Sequence, residues 1–450
     1  TSARRRGRIK TMKFREVFLV VVLILAGLVL YQVKTGHWNL DWNWGWGDDF
    51  GLVGKEVTTE ETRTIEAPLP PVIEIENGHG WVEVRGGDQV NVQLTFKKVV
   101  WRRKEEEARD IAGQIKYTLT ATADKLKLTT NRDEFRRKNF ETGFILTVPR
   151  SMVVSVVNGY GAVRVEGVKE ATVHNRHGEV YASNVDGPCV LETSYDDLEA
   201  QNIKGTCRIV NGHGDVRALS VTGDLSVETS YARIRVEDAG GKADLRGSNT
   251  DVEALRVAGA VTIDTSYEKV ILTDVGPAKV TGHNMAVTVE KVRGDLEVRT
   301  SYESVRADGV GGSLLVDAHN AAVTVKGVEG PSLSVRTSYE NVSLADFAAE
   351  ASVVCHNGNV TLEPRNLKSG LDVRNEHGTI DLVWPSGDRA RLEARSKGGS
   401  VKWGLPDKPD VDETNGVSLI KVYSANAAAP LVFLSTTYDD IRIEEGGRKF

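Results

Sequence analysis

An aliphatic side chain returns every 17 to 19 residues through the middle of this 450-residue chain, and that recurrence limits what the chain can fold into. From Val163 the steps land on Val180, Leu198, Val216, Ile234, Val252, Val270, Val287, Val305, Val323, Val342 and Val360. A second column lies two residues later (Val165, Ala182, Ala200, on to Leu362), and a third seven residues earlier (Val156, Val173, Leu191, on to Val353). Glycine recurs seven residues after the reference position, at Gly187, Gly205, Gly223, Gly241, Gly259, Gly294, Gly312 and Gly330.

Two periods operate at once. Within a repeat the apolar residues alternate, as in strands with one buried face. Between repeats like residues return in register, so each repeat buries its face only by stacking on the next. The expected fold is an all-β parallel β-solenoid (β-helix) of about 18 residues per coil over 151–385. Twelve such coils at about 4.8 Å each would run roughly 55–60 Å. The glycine column is expected to supply the positive φ of a tight corner. A hexapeptide solenoid would need an aliphatic residue every sixth position, and Gly240 and Glu228 stand there instead. Propeller and leucine-rich signatures are absent from the sequence.

The flanks read as caps for otherwise unpaired solenoid ends. Residues 60–150 hold strand-like segments around one helical stretch, 102–115, with Ala108, Ile111, Ala112 and Ile115 on one face. Residues 386–450 read as irregular C-terminal coils and a cap.

The N-terminus has a different character. A basic head, residues 1–16, precedes an apolar run that reaches spanning length over 17–33. Basic residues before the span place the N-terminus inside and the remainder outside. With no small-x-small cleavage site after Leu30 and no lipobox cysteine, the run is expected to be an uncleaved, single-pass anchor. The rival is a cleaved signal peptide starting at Met12. The linker over 34–59 carries Trp38, Trp42, Trp44 and Trp46, which suit the headgroup level.

A net charge of −6 gives no electrostatic footing for nucleic acid. Three cysteines exclude a disulfide scaffold. Cys189 and Cys207 share a column one coil apart, close enough for a disulfide, but parallel side-chain vectors in a core column are poor geometry for one.

Several stretches together resemble a bacterial family of adhesin-like proteins of unknown function, built from β-strand repeats. They are IEIENGHGWVEVRGGDQV, the charged helix RRKEEEARDIAGQI, FILTVPRSMVVSVVNGYGAVRVEGV, and the ladder of Asn-Gly and Thr-Ser-Tyr repeats that follows, together spanning about 65 to 445. The resemblance implies a solenoid and an envelope location, and it brings no catalytic residues.

One column alternates in kind. Tyr160, His177, Tyr195, His213, Tyr231, Asn249, Tyr267, Asn284, Tyr302, Asn320, Tyr339 and Asn357 stand three residues before the reference positions. One reading is a corner stack that alternates large with small side chains. The other is a ligand strip, in which tyrosines about 9.6 Å apart match the repeat of a β-1,4-linked glycan. Acidic residues adjoin several tyrosines (Asp196, Asp197, Glu268, Glu303, Glu340, Asp439, Asp440). They recur with the repeat instead of gathering as a catalytic pair, which is the pattern of a solvated edge. Histidines in Asn-x-His-Gly turns (His79, His177, His213, His377) read as turn residues, with only His177 and His213 near each other.

The expectation is therefore a membrane-anchored, extracytoplasmic scaffold or adhesin-like binding protein of the bacterial envelope, with no cofactor and no enzymatic role. Its expected partners are the membrane and an envelope or extracellular glycan, or a protein. End-to-end self-association into a filament is the alternative, and a polysaccharide-active enzyme comes third.

Overall fold

A computed structural model describes residues 55–135, 139–406, 408–414, 416–422 and 428–446. The basic head, the anchor expected over 17–33 and the tryptophan-rich linker up to Gly54 lie outside the described residues. No helix among the described residues is long and apolar enough to cross a membrane.

Each coil gives one strand to each of two sheets. In one coil, Leu225–Ser230 lies in the second sheet, the chain turns at Tyr231, Arg233–Ala239 lies in the first sheet, and the chain turns again at Gly240 and Gly241. Among the described residues the first sheet has 19 strands. The second runs from Tyr117–Ala121 to Asp410–Thr414, and no pairing among the described residues joins those ends.

The register is the one the columns require. Val216 pairs with Ile234 and Ile234 with Val252, while Val227 pairs with Leu245 on the opposite wall. Ile234, Val252 and Leu245 are at most 1% exposed and share one continuous core. Burying each such side chain contributes about 1.5–3 kcal/mol, and the branched Val and Ile chains suit a pleated surface.

The glycine corner works differently from expectation. Positive φ is carried three residues before the glycine, at Asn184 (54°), Asn202 (55°), Ser220 (57°) and Asp238 (57°). The glycines are needed because coils approach closely. A Cβ on Gly205 would lie 2.4 Å from the Gly187 carbonyl carbon, and one on Gly259 would lie 2.3 Å from the Gly241 oxygen.

Both ends are built by insertion. Val72–Asn77 and Val82–Gly87, the first coil in sequence, lie between the later strands Lys125–Thr130 and Phe140–Pro149 on one side and the coil 153–166 on the other. At the far end, Leu431–Thr436 and Ile441–Glu445 lie between the coil 371–384 and the coil 391–404. The first and last coils of the chain are thus covered by segments nearer its middle.

Antiparallel strands close each end. Lys55–Ile65 pairs with Val92–Arg102, which pairs with Phe140–Pro149. Lys55 begins inside the segment read as linker, so that linker loses its last residues. The helix runs Glu105–Gln114, shorter than expected because Arg102 belongs to a strand. It buries Ala108, Ile111 and Ala112, and Glu105, Glu106 and Glu107 face the positive end of its dipole. At the other end a hairpin of Asp410–Thr414 and Val417–Val422 folds onto Arg391–Lys397.

Candidate contact edge at the tyrosine corner

The alternating column occupies one corner of the solenoid, and an inner ladder shapes that corner. Two residues before each column position a side chain turns inward. Asn158, Asn175, Asn211 and Asn375 each donate through Nδ2 to the carbonyl oxygens of their own corner and of a neighbouring coil, as Asn175 does to Gly178 and Gly161 at 2.8 and 2.9 Å. Where threonine stands instead, it reaches the neighbouring coil, as Thr265 Oγ1 does to the Thr250 oxygen at 2.9 Å and Thr337 Oγ1 to the Ala321 oxygen at 2.8 Å. The buried corner carbonyls are thereby satisfied.

Where that inner position is Gly247, Gly282 or Ala318, the residue after the column position fills the space. Thr250, Met285 and Ala321 are fully buried, whereas their counterparts Glu268, Glu303 and Glu340 are exposed. The sequence signal for this swap is the small residue three places before Thr250, Met285 or Ala321, and the column reading passed over it.

The outer side of the corner carries the rings. Tyr160, His177, Tyr195, His213 and Tyr231 form an unbroken stack with centroids 4.5, 4.9, 5.5 and 5.9 Å apart and planes within 8° of parallel. His79 adjoins Tyr160 at 5.6 Å, and burial pushes its pKa below the ordinary value. His177 and His213, expected to lie near each other, face opposite sides of Tyr195. Ring faces in this half therefore point along the solenoid axis and cover one another, and the edges meet solvent.

Beyond Tyr231 the corner conformation changes. Tyr231, Tyr267, Tyr302 and Tyr339 adopt left-handed φ values of 58°, 67°, 72° and 70°, and Asn249, Asn284 and Asn320 adopt 52° to 54°. Backbone bonds between coils hold three of the tyrosines there: Tyr231 N–H to the Ser248 oxygen and Tyr267 N–H to the His283 oxygen, both at 2.9 Å, and Tyr302 N–H to the His319 oxygen at 2.7 Å. A tyrosine in this region costs about 1 kcal/mol or more, a penalty that asparagine largely avoids. Asn357 continues the column beside Gly358 without a left-handed φ.

The corner acids divide into two groups. Asp196 accepts the Gly178 N–H at 2.6 Å, Asp197 the Asp215 N–H at 3.0 Å, Asp439 the Gly378 N–H at 2.7 Å and Asp440 the Ser400 N–H at 2.9 Å. These four cap backbone donors between coils. Glu268, Glu303 and Glu340 stand in solvent beside their tyrosines.

Cys189 and Cys207 pair in register, both buried and both free thiols. A hydrogen bond with Cys207 and burial push the Cys189 thiol well up, and burial pushes Cys355 up to about 11. No group of three or more His, Cys, Asp or Glu among the described residues converges to hold a metal ion. Grooves on the walls are shallow. One of about 600 Å³ beside the corner is lined by Arg132, Arg176 and His174, whose Nδ1 lies 2.6 Å from Glu192.

Neither a family model nor a curated protein matches the sequence. Among solved structures, the chain is similar to one described as "a putative cell adhesion protein" from Clostridium sporogenes, with 7% identity and a TM-score of 0.18 over 86% of this chain and 100% of that one. A superposition at that score does not establish a common architecture.

Proposed function

We propose that this chain is a membrane-anchored, extracytoplasmic binding scaffold of the bacterial envelope, and that the tyrosine corner is its contact edge. The observation that carries the reading is the choice of residue at the strained corner. Asn249, Asn284 and Asn320 show that asparagine takes the left-handed φ of this corner with less strain. Tyr267, Tyr302 and Tyr339 are 63% to 67% exposed and make no ring contact with a described residue, so neither packing nor backbone geometry asks for them. Strain kept at exposed, repeated positions is a mark of function. A rigid row of equivalent side chains adds weak contacts by multivalency. The anchor over 17–33 would hold that row outside the membrane.

The capped ends bear on the filament alternative. A helix and antiparallel strands lie across one end and a charged hairpin across the other, and covered or charged edges are how sheets resist edge-to-edge growth. The scaffold reading accounts for them more directly.

The test uses cells expressing the full-length chain with Tyr267, Tyr302 and Tyr339 all changed to Ala. The protein should stay in the envelope fraction and melt as before, while attachment of the cells to host or abiotic surfaces is lost. Attachment equal to that of the parent, or recovery of the parent chain in the cytoplasm, would sink the reading.

A further inference from the structure

The two halves of the tyrosine edge differ in what stands between successive tyrosines. From Tyr160 to Tyr231 each interval is filled by an imidazole, stacked between the rings at 4.5 to 5.9 Å. From Tyr231 to Tyr339 the intervals hold Asn249, Asn284 and Asn320, which are half-buried while the tyrosines on either side stand out. Two of these amides are tied down. Ser301 Oγ lies 3.4 Å from Asn284 Oδ1, and Ser338 Oγ lies 3.2 Å from Asn320 Oδ1. Tyrosines two coils apart are about 9.6 Å from each other. Each interval is therefore a notch of the same two-coil width that an imidazole fills in the other half of the molecule.

Carboxylates outnumber cations beside the notches. Glu268, Glu303 and Glu340 directly follow Tyr267, Tyr302 and Tyr339, and none forms an ion pair with a described residue. The acids elsewhere on the corner are occupied with backbone N–H groups. Lys269 is the only basic residue adjacent in sequence to any of the three glutamates.

We propose that the three notches at Asn249, Asn284 and Asn320 receive the guanidinium groups of arginine side chains presented by an extended segment of a partner protein. A guanidinium is planar, permanently cationic and stacks on aromatic faces, so it meets both the geometry and the charge of the site. An ammonium has the charge without the plane. A polyproline-type segment with arginine at every third position spaces its side chains about 9.3 Å apart, close to the notch repeat. The assignment rests on the tyrosine corner being the contact edge, and it names the partner's chemistry.

The test measures binding of the purified full-length chain to a fluorescent peptide of repeated Arg-Pro-Pro and to its Lys-Pro-Pro counterpart. The arginine peptide should bind about tenfold tighter or more, because three stacked contacts add. Changing Glu268, Glu303 and Glu340 together to Gln should weaken it. Asn284→His, which puts an imidazole at the middle notch, should also weaken it, and a melting curve should show that the variant still folds cooperatively despite the added strain at φ 52°. Equal affinity for the two peptides, indifference to Asn284→His, or a soluble cell-wall glycan binding where the arginine peptide does not would each overturn the assignment. If attachment still needs the three tyrosines while neither peptide binds, the arginine assignment falls and the contact edge stands. If the tyrosine variant attaches like the parent, both fall.

Discussion

His377 and Tyr438 lie face to face, their ring centroids 4.2 Å apart and their planes 2° from parallel, although a whole coil and a hairpin separate them along the chain. The last coil of the chain has entered the stack beside His377 and repeats there the ring pairing of the N-terminal half. The coil 391–404 then covers it. Closure of this end depends on contacts between the inserted coil and its cover, and Asp440 is central to them.

Asp440 meets Lys402 Nζ at 2.7 Å and both donors of Ser400 at 2.9 Å. Those bonds, Lys402 first, lower its pKa from 3.8 to about 2. A carboxylate whose folded pKa is depressed stabilises fully above its unfolded value and stops doing so as pH falls through the folded one. The melting temperature of Asp440→Asn should therefore lie below that of the parent at neutral pH. The gap should close between about pH 4 and 2. A gap that is constant with pH would remove Asp440 from the closure.

Met285 and Glu303 occupy equivalent sequence positions in successive coils and should respond oppositely to truncation. Met285→Ala empties a fully buried site and should cost about 2–5 kcal/mol. Glu303→Ala touches only solvent and should stay within about 0.5 kcal/mol. Denaturant unfolding of the two variants measures both, and similar costs would show that the corner does not alternate between inward and outward side chains.

Gly205 and Asn202 separate two reasons for a special residue at the second corner. Gly205→Ala meets the Gly187 backbone and should destabilise by about 1–3 kcal/mol. Asn202→Gly, at φ 55°, frees a residue already in the left-handed region and should cost less than about 1 kcal/mol. If thermal melts ranked them the other way, close approach of the coils would not be what fixes glycine at this corner.

The stacked core could be read from sequence because the 18-residue step is carried by residues whose only demand is burial, as at Ile234 and Val252. The corners were less legible. Gly205 recurs for close approach and Asn202 for φ, and a column of letters does not say which residue of a turn has which task. The inward turn of Met285 follows from Gly282 leaving space, a three-dimensional compensation. The end insertions were hidden because TTYDDIRIEE reads as the next coil in order, and only pairing partners reveal that it steps back one place. The tyrosine column was visible as a pattern. That its first five rings face one another, and so offer no outward face to a sugar, depends on side-chain orientation.

Tyrosine nitration on living cells tests most directly whether the corner is where contact occurs. The full-length chain would be labelled on cells before and after they attach to a surface, with Tyr181, on the wall of the first sheet, as the reference. Tyr267, Tyr302 and Tyr339 should be modified on free cells and protected on attached ones, with Tyr181 unchanged. Protection of Tyr181 while the three corner tyrosines remain reactive would contradict the proposed contact edge.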